Sequence, residues 1–491
     1  MDNQSSTGTA TQPTQTAGLS ATTPRQDIFD AQKTKVEDNN KQNSVLQDKK
    51  QIVASHRGFP KNLVFVLIGI LVLLIVIALI AKIFLPGISG SRQATITWWS
   101  LEEDLDAVTP LINEYQAQNP NVKINFVSQS QQDYRERLVN AIAKGQGPDI
   151  FQFHNSWIPM FASNLSVTSD DFSAVFYPVV ASDLKSKNGF LGVPLEYNGI
   201  GLFVNLDIFQ AYGKNPPKTW DDFRRMASDL TVRDANGQIR QAGAALGVTT
   251  NIDYWQDILA VLMLQNGANL ANPTDVLGQS ALTFYTNFSK VDRVWDETLP
   301  NSGIDFEKGE LAMYIGRYGD AFKIKKQNPN LHFAVTALPQ LPTNSDTIPS
   351  VSYASYWVNG VLKTSSNTKA AWDFLKFMIT QKSLEELYKN EVKVRGYGNL
   401  YPRVDMQSKL LSDTTAAPFI FQANFARSWY LYANTFDGVT GINSQIAKPY
   451  SDAIESVNGN GTVEKALLDS QMQLSQILSS YGLVSAPVAT P

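Results

Sequence analysis

Three kinds of hydrophobic pattern succeed one another along the chain. Residues 1–60 have almost no apolar periodicity and are rich in Ser, Thr, Gln, Asn, Asp and Lys. Such a stretch cannot bury enough apolar surface to offset the entropy of ordering, which predicts a disordered tail. From Leu63 to Ala81 no charged or strongly polar residue occurs. Extended by Ile83–Leu85, this run at about 1.5 Å per residue can cross a hydrocarbon core of about 30 Å, so a transmembrane helix is predicted over 61–85. Lys49, Lys50, Arg57 and Lys61, against Asp48, precede the run Leu63–Ala81, and Lys82 and Arg92 follow it. The positive-inside bias therefore puts the tail in the cytoplasm and the remainder outside. A cleaved signal peptide is the competing expectation, but its leader would be shorter and its apolar core nearer about 7–15 residues. Residues 86–93 read as a short stalk.

From Ala94 onward the apolar period switches back and forth between strand and helix. Ala94–Trp99 is a β-rich run, followed by Ser100-Leu-Glu-Glu103, a capping-box pattern. Leu105, Val108, Leu111, Ile112 and Tyr115 then recur at helical spacing, with Pro110 predicting a kink or a late start. Val122–Val127 alternates as a strand, Gln131–Lys144 suits a helix, and Ile150–Phe153 is apolar again. This β-α-β-α-β order is that of an α/β lobe with a largely parallel sheet. The same grammar resumes later. Thr219 caps an amphipathic run through Trp220, Phe223 and Met226; Asn236-Gly237 predicts a hairpin; Ser383-Leu-Glu-Glu386 opens a helix; Val463–Leu478 is amphipathic.

Composition narrows the function. The 491 residues are too many for one ordinary core, so two or more lobes or domains are expected. A formal charge of −4 carries no nucleic-acid footprint. The absence of Cys removes disulfides, thiol nucleophiles, Cys-based zinc sites and a lipidated cysteine. His56, His154 and His332 are too few and too scattered for a histidine metal cluster. No P-loop, G-x-S-x-G elbow, H-E-x-x-H or calcium-loop spacing occurs. Glu102/Glu103, Asp170/Asp171 and Asp221/Asp222 sit at helix starts or loops, where acids favour the dipole and solvent. No catalytic residue, cofactor or metal is therefore expected.

Aromatics at strand ends remain. Trp98 and Trp99 must point to opposite faces of their strand, one to the core and one toward the mouth of the lobe. In open α/β sheets ligands collect beyond the carboxyl ends of strands, where Phe153-His-Asn-Ser-Trp157 also falls. Tyr356-Trp357 and Trp429-Tyr430 repeat the theme. Flat rings beside amides and hydroxyls suit a sugar; core packing is the alternative for each ring taken singly.

Several segments together resemble family 1 of the extracellular solute-binding proteins of ABC importers, the group that includes maltose-binding proteins. Ile96-Thr-Trp-Trp-Ser100 and Leu111–Ile124 are similar to its opening strand–helix–strand. Leu138–Ile150, ending Gly-Pro-Asp-Ile, Gly192-Val-Pro-Leu-Glu-Tyr-Asn198, Leu202-Phe-Val-Asn205 and Pro217–Phe223 follow in the family's order. So do Phe306–Met313, Ala337-Leu-Pro339 and Ala370–Phe377. The resemblance covers residues 94 to about 480. It implies a two-lobed α/β clamshell of the periplasmic-binding-protein type II, with hinge crossovers, preceded by the membrane helix. Lobe 1 would comprise about 94–200 plus 340–390, and lobe 2 about 201–339 plus 391–491.

Carried over segment by segment, the resemblance implies ligand contacts at Trp98, Ser100 and Glu102; Phe153, Asn155 and Trp157; Tyr197 and Asn198; Tyr254 and Trp255; and Arg317 and Tyr318. Tyr356, Trp357 and Trp429 follow from more variable spacing. Ser156 and Asn198 stand where maltose-binding members carry acids, so a sugar rather than maltose in particular is implied, and Arg317 leaves a carboxylated or phosphorylated solute open. The expected partners are a sugar or oligosaccharide, ABC permease subunits and the bilayer around 63–85. The rival expectations are a clamshell sensor or adhesin without transport, and a glycan-acting enzyme.

Overall fold

The computed structural model describes residues 61–84, 93–341 and 350–483. The predicted tail and stalk lie outside the described residues, apart from Gln93. The chain divides into two units, Met1–Pro86 and Gly87–Pro491. Within the first, a 24-residue α-helix runs Lys61–Phe84. Its described side chains, Phe65 to Ile77, are apolar apart from Gly69 and all exposed. Among the described residues no helix is long and apolar enough to cross a membrane.

Among its described residues the second unit holds two main sheets and two small two-stranded ones. In the first, the strands stand in the order Trp357–Val361, Ile150–His154, Ala94–Ser100 and Val122–Ser128. The last three are parallel, with Trp98 beside Ile150 and Ala94 beside Val122. Trp357–Val361 returns antiparallel from far along the chain, with Trp357 opposite His154. The parallel arrangement follows from the helical crossovers Leu105–Gln118 and Tyr134–Ala143. In the second sheet the order is Phe333–Thr336, Ile200–Asn205, Leu311–Arg317, Ile239–Ala244 and Val232–Arg233, of mixed direction. Ser352–Tyr353 and Ala426–Arg427 form a small parallel pair. This is a two-lobed α/β architecture.

The local signals resolve as follows. Thr219 caps Trp220–Asp229 by accepting the Asp222 N–H. Gly237, at φ +79°, closes the hairpin, while Asp234 Oδ1 accepts the N–H groups of Asn236 and Gln238. Pro110 lies inside an unbroken helix. Two capping boxes are displaced. Ser100 ends its strand and the helix begins at Leu105, so Ser100 and Glu103 bond to each other inside a turn. The later helix, Gln381–Arg395, starts before Ser383, and its cap is Thr380. That helix packs on Leu105–Gln118, so an expected lobe boundary at 390/391 would cut a single element. Ile442–Asn458 and Val463–Ser480 pack on each other and on Val276–Lys290, on the side of the second sheet.

Candidate functional site

A cleft of about 310 Å³ lies between the two sheets. Each wall is set by a strand end and the turn after it. Beyond Ser100, the Gln152 side-chain carbonyl accepts the N–H groups of Leu101 (2.7 Å) and Glu102 (3.0 Å). This turn sends Glu102 into the cleft, where Gln131 donates to it at 3.1 Å. Its neighbour Glu103 turns inward to Ser100 and Gln152, and burial pushes its carboxyl up to about 7. On the opposite wall, Arg317 ends strand Leu311–Arg317. Asp320 accepts the Arg317 N–H at 2.7 Å and hydroxyls from Tyr254 and Tyr314, each at 3.2 Å, fixing that corner.

The charges of the cleft are held from behind. Arg317 pairs with buried Asp257 at 3.4 Å, donates to the Ala433 carbonyl at 3.1 Å and lies 4.7 Å over the Tyr254 ring. Burial raises Asp257 to about 6 although Arg317 opposes the rise. Arg395 sits 3.1 Å from Glu391 and 4.7 Å over Tyr397, whose ring stacks on Phe322 at 4.4 Å. At the back, Glu196 accepts the Trp357 N–H at 3.3 Å. Burial first, then repulsion from Glu102, pushes Glu196 up to about 8, so it is a neutral acid able to donate at pH 7. Tyr254, Asn434 and Phe436 all line the cleft with φ between 53° and 57°, in the left-handed region. Three such residues at one site mark a backbone held there by its surroundings.

A bacterial extracellular solute-binding protein family matches residues 98–385, more than half of the chain. The chain belongs to this family. Its members are binding proteins of ABC importers, acting extracellularly or in the periplasm. The solute-binding chain is 27 % identical over 304 residues to a maltotriose-binding protein of Pyrococcus abyssi, covering 59 % of this chain and 63 % of that one. It is 20 % identical over 326 residues to a multiple sugar-binding protein of Streptococcus mutans, covering 61 % and 74 %. In structure it resembles the substrate-binding protein Lmo0181 of Listeria monocytogenes in complex with cycloalternan. That match has a TM-score of 0.60 at 20 % identity, over 79 % of this chain and 99 % of the other.

Within the solute-binding protein, the sequence-expected residues separate into three groups. Glu102, Tyr197, Asn198, Tyr254, Arg317, Tyr318 and Trp357 come together at the cleft. Trp98, Ser100, Phe153, Trp157, Trp255 and Tyr356 are buried elsewhere. Trp98 is 0 % exposed, edge-on to Phe126 and Phe374, with its indole N–H on Asn359 at 2.8 Å. Strand alternation turned it inward. Trp157, also 0 % exposed, lies in a 3-10 turn against Tyr134 and donates to Asn443 at 3.1 Å. It backs Trp357 edge-on at 5.4 Å and does not itself line the cleft. Asn155 and Trp429 line a different cavity.

Gln131, Glu196, Ser355, Arg395, Tyr397, Asn399, Asn434 and Phe436 also line the cleft and carry no expectation from the sequence. Glu196 lies within the crossover segment that carried Tyr197 and Asn198, so its signal was present. Arg395 ends a helix, and beyond it the Gly396 φ of +91° turns Tyr397 and Asn399 into the site. No spacing rule links that turn to a strand end some 300 residues earlier. Among the described residues, no group of three His, Asp or Glu is placed to hold a metal ion.

Proposed function

We propose that the protein is a membrane-tethered extracellular receptor that closes around a carbohydrate and hands it to an ABC permease, without chemical change to the solute. The observation that carries this reading is the cleft itself. Donors and acceptors, the carboxyl groups of Glu102 and the neutral acid Glu196 and the guanidinium groups of Arg317 and Arg395, sit beside Tyr254, Trp357, Tyr397 and Phe436. Hydroxyl-rich solutes need both classes of polar partner and a ring face for their C–H surface. Relatives that bind maltotriose and multiple sugars support the same solute class. The contacting residues are taken to be the cleft group, joined by Glu196, Arg395, Tyr397 and Phe436.

Lobe 1 comprises the sheet carrying Ala94–Ser100 together with the helices Leu105–Gln118, Tyr134–Ala143, Thr368–Met378 and Gln381–Arg395, and lobe 2 the sheet carrying Leu311–Arg317 with Val276–Lys290 and the C-terminal helix pair. The apolar helix over 61–85 remains as an uncleaved anchor with the tail inside the cell. A thermal-shift screen of mono- to tetrasaccharides tests the solute class, because a ligand that binds only the folded state raises its stability. No shift with any sugar would overturn it. Mass spectrometry of membrane-extracted protein tests the anchor: a mature N-terminus between Gly87 and Ala94 would exclude it.

A further inference from the structure

Asn155 and Trp429 meet in a second cavity of about 620 Å³, twice the volume of the cleft. Its walls are the helix Pro178–Leu184, the turn at Asn155–Ile158 and the segment Asn424–Tyr430. The two cavities share no lining residue. One extended segment divides them: Ser355 and Trp357 line the cleft, while Tyr356 between them sends its hydroxyl the other way, to Asp183 at 2.6 Å.

We propose that this cavity is a second saccharide site, taking a neutral sugar or polyol. Asp183 is its polar centre. The carboxylate accepts from Tyr356, from the Asn155 amide at 3.0 Å and from the Ser428 hydroxyl. Two carboxylate oxygens offer about four acceptor positions, so about one remains for a ligand hydroxyl. Among the described residues no cation pairs with Asp183, so its oriented acceptor is not already spent on a salt bridge. Trp429 and Tyr430 are half-buried, tilted at 5.6 Å, with Tyr450 edge-on to Trp429 at 6.3 Å. This braces the indole and leaves part of it accessible. A fixed indole beside a carboxylate, an amide and hydroxyls is the combination that grips a sugar ring by its C–H surface and its hydroxyls. The inference holds whatever the cleft itself binds.

The test uses the full-length protein in detergent with fluorotryptophan at its nine tryptophans. Fluorine NMR follows Trp429 and Trp357, assigned through Trp429→Phe and Trp357→Phe. Maltotriose, mannotriose and raffinose are each titrated to about 10 mM, which reaches millimolar affinities. The Trp429 resonance should shift saturably with at least one of them. Ser182→Leu, an exposed change on the cavity wall, should abolish that shift and leave the Trp357 response intact. A Trp429 resonance moved by none of the three, or one that moves unchanged in Ser182→Leu, overturns the proposal. A silent Trp357 beside a responsive Trp429 would count against the cleft alone.

Discussion

The aromatic cluster beneath the first sheet and the wall of the cleft are built from the same residue types and meet where Trp157 packs edge-on against Trp357, yet they differ in what they face. Trp98 and Trp157 are wholly enclosed, and each sends its indole N–H to an asparagine side chain. Trp357, Tyr397 and Phe436 stand at the edge of a space whose other walls carry Glu102, Arg317, Arg395 and several amides. Phe436 is 49 % exposed and holds a left-handed backbone, an uncommon conformation for a bulky side chain. The lesson is that an aromatic at a strand end marks the neighbourhood of a site, while the face it takes decides whether it packs or binds.

The comparison breaks most readily at Trp157. Trp157→Ala should lose about 3–5 kcal/mol of stability in chemical denaturation, because it empties a closed core position. A loss of affinity without loss of stability would move Trp157 into the cleft. Arg317→Ala comes next. Removing the guanidinium strands buried Asp257 and should cost about 3 kcal/mol or more. Adding Asp257→Asn should recover much of that stability but none of the solute affinity, measured by calorimetry.

A smaller effect concerns pH. Glu196 keeps its proton up to about pH 8 in the folded chain, against an ordinary value of 4.5. The folded state thus holds the extra proton in that window, and stability falls as pH rises through it. Glu196→Gln should flatten the decline between about pH 5 and 8 in denaturation curves, while an unchanged slope would remove Glu196 as its source. Smallest in stability is Phe436→Ser, expected to stay within about 0.5 kcal/mol of the parent. The same change should weaken sugar affinity by up to about tenfold, the size of one lost stacking contact.

Much of the fold was legible because its signals are local. The switches of apolar period marked the opening strand–helix–strand run, Thr219 and Gly237 acted where local chemistry placed them, and the segments from Ile96 to Phe377 pointed to the family. The capping boxes slipped because a serine followed three residues later by an acid is equally content in a turn, as Ser100 and Glu103 are. The site was legible only in part. Of the residues those segments implied, Tyr254, Arg317 and Trp357 line the cleft, whereas Trp98 and Phe153 from equally good segments are core.

What the sequence determined by itself was the order of elements, the exclusion of cysteine chemistry and the ordered segments that mark the family. Period, capping and composition act over a few residues, so one strand of text contains them. Tertiary structure alone decided which face each aromatic took, because that depends on the register of Trp98 with Ile150 and of Trp357 with His154. It alone brought Arg395, Asn434 and Phe436 to Glu102, and it alone raised Glu196, since burial is a property of what surrounds a carboxyl and not of the carboxyl's place in the chain.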